Sequence, residues 1–177
     1  MAEYICRLNP RIASFYTICN TYPITILLAE KIKEILGDEL AEIYHIGSTS
    51  VEGLKAKPVI DIMGAVKNID NVDQYNDKFI ELGYEPMGEY GISKRRFFRK
   101  GGEKRTHHIH IFQITDRENI ERHLAVRDYL REHSEDAAAY GELKSELAQK
   151  YPRDIEAYCD GKRFLCKKFR EKSSCMV

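Results

Sequence analysis

The sequence is sparing in residues that break or staple a chain. Its 177 residues include only 11 Gly and 5 Pro, with no low-complexity linker and no internal repeat, so neither a repeat array nor a flexible string is expected. No apolar run approaches the roughly 20 residues needed to cross a bilayer. The opening MAEYICRLNPR has no charged segment followed by an apolar one, which argues against a signal peptide. No membrane association is expected, and the chain reads as cytoplasmic. Cys6, Cys19, Cys159, Cys166 and Cys175 form an odd set without C-x-x-C spacing, which argues for free thiols over a zinc knuckle or a disulfide framework.

What is present describes one soluble domain spanning 1–177. A chain of this length buries about 70% of its unfolded surface, enough for a core without a staple. Charged residues make up 32%, above the usual level of roughly 25%, but 28 Lys plus Arg balance 28 Asp plus Glu, which keeps the chain out of the disordered class. The charges are not evenly spread. Residues 1–88 carry 8 basic and 13 acidic groups, and residues 89–177 carry 20 and 15, so an anionic partner would bind mainly the second half.

Periodicity outlines an α+β fold. TYPITILLAEKIKEILG, residues 21–37, sets Ile24, Leu27, Leu28, Ile32, Ile35 and Leu36 at helical spacing between a Thr21 cap and a Gly37 stop. Strands are expected at 42–45 and 57–66. In the second, Asp61, Met63 and Ala65 share the face opposite Ile60, Ile62, Gly64 and Val66. A helix over 71–82, strands at 84–87, 91–100 and 104–114, and helices near 117–133, 136–150 and 153–170 complete the reading. Gly101-Gly102 marks a tight hairpin, and Leu143, Leu147, Ile155 and Phe164 are assigned to the core. The expected architecture is a small mixed sheet in a core of residues 1–115, with a helical C-terminal subdomain at 116–177 that walls one side of a cleft.

HIGSTSVEGLKAKPVIDI, residues 45–62, carries the chemistry. Gly47 and Ser48 follow directly on a strand, where small residues let backbone amides approach a ligand. Ser48, Thr49 and Ser50 add hydroxyls suited to phosphate oxygens. Asp61 lies on the next strand. A turn for a triphosphate beside a carboxylate for Mg²⁺ is what phosphoryl or nucleotidyl transfer needs, because its catalysis is mainly charge neutralisation and positioning. Asp61 as an ordinary hydrogen-bonded strand residue is the competing account.

Four blocks in order, HIGSTSVEGLKAKPVIDI, RTHHIHIF, HLAVRDYLREHSEDAAAYGELKSELA and the late Tyr158 and Lys162, resemble the GrpB family of small bacterial proteins (the UPF0157 type) over residues 40–168. The resemblance implies the nucleotidyltransferase superfamily of the DNA polymerase beta type. Its pattern is Gly-Ser at a strand-helix turn, then Asp-x-Asp or Asp-x-Glu on the next strand. Gly47, Ser48 and Asp61 match; Met63 stands where the second carboxylate belongs. A thioether is a poor ligand for Mg²⁺. The resemblance therefore implies either a replacement ligand or lost chemistry.

His108 and His110 sit two apart on one strand and share a face. In this superfamily a third carboxylate comes from a later neighbouring strand, so the two imidazoles would join Asp61 as metal ligands or phosphate contacts, with imidazole favouring Mn²⁺ or Zn²⁺ over Mg²⁺. His107, on the opposite parity, reads as structural. Between Lys94 and Arg105 lie seven basic groups and one acidic one, Glu103. Such a run is either a solvated face or a phosphate contact through Arg96 or Arg99 with Arg105. Phe97 or Phe98 would be core and the other free to stack on a base. In the helical third, Arg127 would reach back to the cleft or pair on the helix surface. Lys144 and Lys162 are either phosphate contacts or ordinary helix-surface lysines, and with Lys57 from the first block they complete the expected phosphate-binding set.

The expected function is divalent-metal-dependent transfer of a nucleotidyl or phosphoryl group from a nucleoside triphosphate to an unnamed acceptor, with Asp61, His108 and His110 as catalytic and metal-binding residues and Mg²⁺ or Mn²⁺ as cofactor. The alternative is a non-catalytic module that binds a nucleotide, another phosphorylated small molecule or RNA without reading its bases. Fusion of the family's domain to an enzyme of coenzyme A synthesis also leaves an accessory partner open.

Overall fold

The computed structural model describes residues 16–17 and 22–174. Its centre is a five-stranded mixed sheet of β1 (Leu40–Ile46), β2 (Ile60–Val66), β3 (Tyr84–Pro86), β4 (Arg96–Lys100) and β5 (His107–Gln113), in the spatial order β1-β2-β5-β4-β3. Only β2 and β5 run parallel; the other neighbours are antiparallel. Around the sheet lie the helices α1 (Tyr22–Leu36), α2 (Asn76–Glu81), α3 (Arg117–Glu132), α4 (Ser134–Lys150) and α5 (Ile155–Ser174). Tyr16–Thr17 pairs separately with Lys55–Ala56.

The central strand β2 is apolar on both faces, as expected of a strand covered on each side. Ile60, Ile62 and Val66 pack with Leu28, Ile32 and Leu36 of α1, Phe79 of α2 and Ile109 and Ile111 of β5. On the other face Met63 and Ala65 meet Ile46, Phe112 and Ile120 of α3. Asp61 is the polar interruption on that second face. The last three helices enclose their own cluster of Tyr129, Leu130, Tyr140 and Phe169, into which Val51 and Leu54 insert. The loop after β1 is thereby pinned to the helical third.

Several expectations shift. On α1, Ile24 and Leu27 are 56% and 57% exposed, because the face that meets the sheet is set by the i, i+4, i+7 series Leu28, Ile32 and Ile35. Phe164 is 78% exposed, not core; Phe169 fills that role. Leu147 is buried, Leu143 packs against it, and the side chain of Ile155, like Thr21, lies outside the described residues. The helix expected at 71–82 begins as 3-10 turns over Ile69–Tyr75. The strand expected from 91 begins only at Arg96, since Gly88, Tyr90, Gly91 and Lys94 all adopt positive φ and form a compact loop. The hairpin is also longer than two residues. Gly101, at φ +98°, packs so closely that an added Cβ would stand 2.3 Å from the Lys104 carbonyl oxygen, and β5 starts at His107.

Candidate functional site

Strand register assembles the site. Asp61 of β2 is opposite His108 of β5, His108 is opposite Arg99 of β4, and Arg99 is opposite Glu85 of β3. A second row runs from Met63 through His110 to Phe97. Facing partners share a side of a sheet, so Asp61, both histidines, Phe97 and Arg99 lie on one face. His108 Nδ1 is 3.0 Å from Asp61 Oδ1 and His110 Nε2 is 3.8 Å from the same oxygen. Burial acts to raise the Asp61 carboxyl, but hydrogen bonds and charge from His108 and His110 outweigh it and hold the group well below the usual carboxylate range.

Arg95, 5% exposed, lies just before β4. Its guanidinium donates to the Glu89 and Tyr90 carbonyls at 3.2 and 2.7 Å and faces His110 Nδ1 at 3.2 Å. The sequence shows it only as one member of a charged run. The sign that singles it out is parity: Arg95 alternates with Phe97, the cross-strand partner of His110.

The turn after β1 supplies the second half of the site. Gly47 adopts φ +71°, and a Cβ there would lie 2.6 Å from Asp61 Oδ2, so the turn rests directly on the carboxylate. The Ser48 hydroxyl accepts from Lys144 Nζ of the helical third at 2.8 Å. Thr49 and Ser50, also expected as phosphate contacts, bond to neighbouring residues of the same segment. Thr49 Oγ1 is 2.9 Å from His45 Nε2. Ser50 bonds the Gly47 carbonyl through both its amide and its hydroxyl.

Three lysines gather there. Lys144 is 3% exposed and stands over the Tyr140 ring, while Lys57 and Lys162 both stand over the Tyr158 ring, at 5.0 and 4.4 Å. Burial, then the Lys162 charge, pushes Lys144 down to about 7 and Lys57 down to about 8. A groove of about 1050 Å³ lies beside the same turn, lined by Thr25, His45, Thr49, Glu52 and Arg131, with Asp61 and Lys144 outside it.

The other expected phosphate contacts are occupied elsewhere. Arg96 projects from the opposite face of β4 and binds Asp73 with both Nε and Nη2. Arg105 bonds the Gly102 carbonyl within the hairpin. Arg99 is on the site face, with its guanidinium on Glu85 at 2.6 Å. Arg127 pairs with Asp128 and donates to the His45 carbonyl, and Arg131 donates twice to the Ser50 carbonyl. Those two arginines fasten α3 to the end of β1 and to the turn after it, a role that cannot be read locally because their carbonyl partners are 81 or 82 residues away.

The donor set does not fit the expected metal. Among the described residues no three His, Cys, Asp or Glu side chains are arranged to hold an ion. Met63 is fully buried and brings no oxygen. A ligating histidine presents one nitrogen to the metal and donates a proton from the other. His110 Nδ1 instead faces a guanidinium, which has no lone pair to accept one.

The model of the GrpB protein family matches residues 26–172. This chain belongs to that family. It is 46% identical over 133 residues to UPF0157 protein YqkA of Bacillus subtilis, covering 75% of this chain and 38% of that one. To UPF0157 protein PA4798 of Pseudomonas aeruginosa it is 40% identical over 138 residues, covering 76% and 56%. The chain thus spans well under two thirds of either relative. The crystal structure of conserved protein GrpB from Enterococcus faecalis superposes with TM-score 0.82 at 42% identity, covering 90% of this chain and 95% of that one. A cytoplasmic RNA terminal U-transferase shares the fold at TM-score 0.50 and 14% identity, over 84% of this chain and 44% of that one. The chain therefore has a mixed α+β fold, that of GrpB, which the U-transferase shares. Among the described residues no helix is long and apolar enough to cross a membrane.

Proposed function

We propose that this GrpB protein binds a nucleoside triphosphate between the turn and the helical third and transfers a nucleotidyl or phosphoryl group from it to an acceptor hydroxyl. The observation that carries the reading is the Lys144–Ser48 hydrogen bond, made at a turn that touches the Asp61 carboxylate. Lys57 and Lys162 stand close enough that the Lys162 charge disfavours protonation of both Lys57 and Lys144. An anion bound among the three would relieve that repulsion. In this reading Ser48, Lys57, Lys144 and Lys162 hold the phosphates and the acceptor approaches along the sheet face. An RNA end is one acceptor of suitable chemistry.

Calorimetric titration with ATP, UTP and tripolyphosphate tests the binding step, and thin-layer analysis of radiolabelled nucleotide tests transfer. Binding of all three anions is expected, weakened about tenfold or more in Lys144→Met, a loss of about 1.4 kcal/mol. No binding by the wild-type chain would end the proposal. Binding without transfer to RNA or small alcohols would favour a non-catalytic module, the reading that buried Met63 at the second acidic position supports.

A further inference from the structure

The hydrogen-bond directions around Asp61 give each histidine a single tautomer. Arginine is always a donor, so the contact of Arg95 Nη1 with His110 Nδ1 at 3.2 Å requires Nδ1 to accept. The proton of neutral His110 is then on Nε2, the atom directed at Asp61 Oδ1. His108 presents Nδ1 to the same carboxylate oxygen at 3.0 Å, and an ionised carboxylate only accepts. Its proton therefore sits on Nδ1 and its lone pair on Nε2, at the other edge of a ring whose side chain is 25% exposed. This arrangement of a partly buried carboxylate, a histidine oriented by it and a lone pair on the far ring nitrogen is that of a general base.

We propose that His108 is the general base of this cleft, oriented by Asp61, and that Arg95 is a positioning residue that closes the Asp61, His108 and His110 cluster to a resident divalent metal. The proposal rests on the transfer reading above for its substrate. In the step itself the acceptor O–H gives its proton to His108 Nε2 while its oxygen forms a bond to phosphorus. The phosphorus–oxygen bond to the leaving phosphate breaks, and the electron pair departs on that oxygen, whose charge the lysines meet. A metal ion arriving on the nucleotide's phosphates is part of the substrate; what Arg95 excludes is an ion held by the three side chains.

Arg95 is itself held in place. Two of its donors are taken by the Glu89 and Tyr90 carbonyls, and the Lys94 amide is tied back to Glu89 Oε1 at 2.7 Å. The loop at residues 88–94, with its non-glycine positive φ at Tyr90 and Lys94, thus has a structural consequence. It fixes the guanidinium that sets the histidine tautomer.

The test uses the full chain with ¹⁵N-labelled imidazoles, assigned through His108→Gln and His110→Gln. Long-range ¹⁵N–¹H correlation should show His108 protonated on Nδ1 and His110 on Nε2; a His110 proton on Nδ1 would overturn the proposal. Mn²⁺ titration followed by electron paramagnetic resonance should detect no binding tighter than about 1 mM that Asp61→Asn abolishes, and finding such binding would overturn it. Arg95→Gln presents an amide oxygen able to accept from His110 Nδ1–H, so Mn²⁺ affinity should rise by about 10- to 100-fold. A folded variant without that gain would remove the role given to Arg95; if the variant does not fold, the wild-type tautomers decide. Where transfer is measured, His108→Gln should lower kcat by about 10²- to 10⁴-fold with KM little changed, and an unchanged kcat would exclude His108 as the base. Failure of nucleotide binding would sink the transfer reading while leaving the tautomer and Mn²⁺ results to stand.

Discussion

Gly47 and Asp61 are in contact across two strands, so closely that a methyl group on Gly47 would lie 2.6 Å from Asp61 Oδ2. Gly47→Ala therefore meets two penalties at once, a left-handed φ of +71° and a collision with the carboxylate. Gly53 provides the control, since it has φ +73° and open space around its Cα. Thermal unfolding should show Gly53→Ala costing about 1–2 kcal/mol from the backbone alone and Gly47→Ala costing more. Equal losses would mean that the turn does not rest on Asp61.

Anion binding should be coupled to proton uptake. Lys144 and Lys57 are pushed down to about 7 and about 8, and a bound phosphate favours their charged forms. Between roughly pH 7 and 9 binding then takes up protons. Calorimetry of tripolyphosphate in buffers of different ionisation enthalpy should report a positive proton number, reduced in Lys144→Met. Proton release or no change would contradict the placement of the anion beside Lys144.

The basic hairpin should matter little to that affinity. Arg96 is spent on Asp73 and Arg105 on the Gly102 carbonyl, so Arg96→Ala and Arg105→Ala should each change phosphate affinity less than about threefold, or about 0.65 kcal/mol. A drop of the size expected for Lys144→Met would return both arginines to the binding set.

Phe164 and Phe169 lie on the same helix and should behave as opposites. Phe169 is 1% exposed and packs on Tyr129 and Tyr140, whereas Phe164 is 78% exposed. Urea unfolding should give about 3–5 kcal/mol lost for Phe169→Ala and less than about 0.5 kcal/mol for Phe164→Ala.

Acid should destabilise the fold through buried neutral histidines. Burial pushes His45 and His123 down to about 4, while in the unfolded chain they titrate near 6.5. As pH falls through 6.5 the unfolded state takes up protons that the native state does not take up until about pH 4. Stability is therefore lost across that window, by roughly 2–3 kcal/mol per fully buried histidine and less where the ring is partly wet. Substituting His123 with Gln should flatten the loss between pH 6.5 and 4; an unchanged slope would assign the acid sensitivity to other groups.

Much of the fold was legible because it is written locally. The strand period that puts Asp61 and Met63 on one face of β2, and His108 and His110 together on one face of β5, depends only on alternation, and both pairs stand as alternation places them. The limits of α3 and α4 follow equally local signals, Asp116 capping the Asn119 amide and the stop at Tyr151 before Pro152. The loop at residues 88–94 was not legible, because its positive φ values at Tyr90 and Lys94 go against the preference of those residue types and are held by Arg95 and Glu89.

The sequence by itself determined the type of elements, the turn after β1, and the residues with chemistry to offer. Within a run of seven basic groups it offered parity to say which arginines share a face, but not which acceptor each would meet. Only the tertiary structure decided that Arg95 turns inward to His110, that Arg96 turns away to Asp73, and that Arg127 and Arg131 clamp backbone carbonyls. The reason is that an arginine's role is set by the acceptor within reach of its guanidinium. Here those acceptors come from residues 15 to 82 positions away, brought close by strand pairing and helix packing.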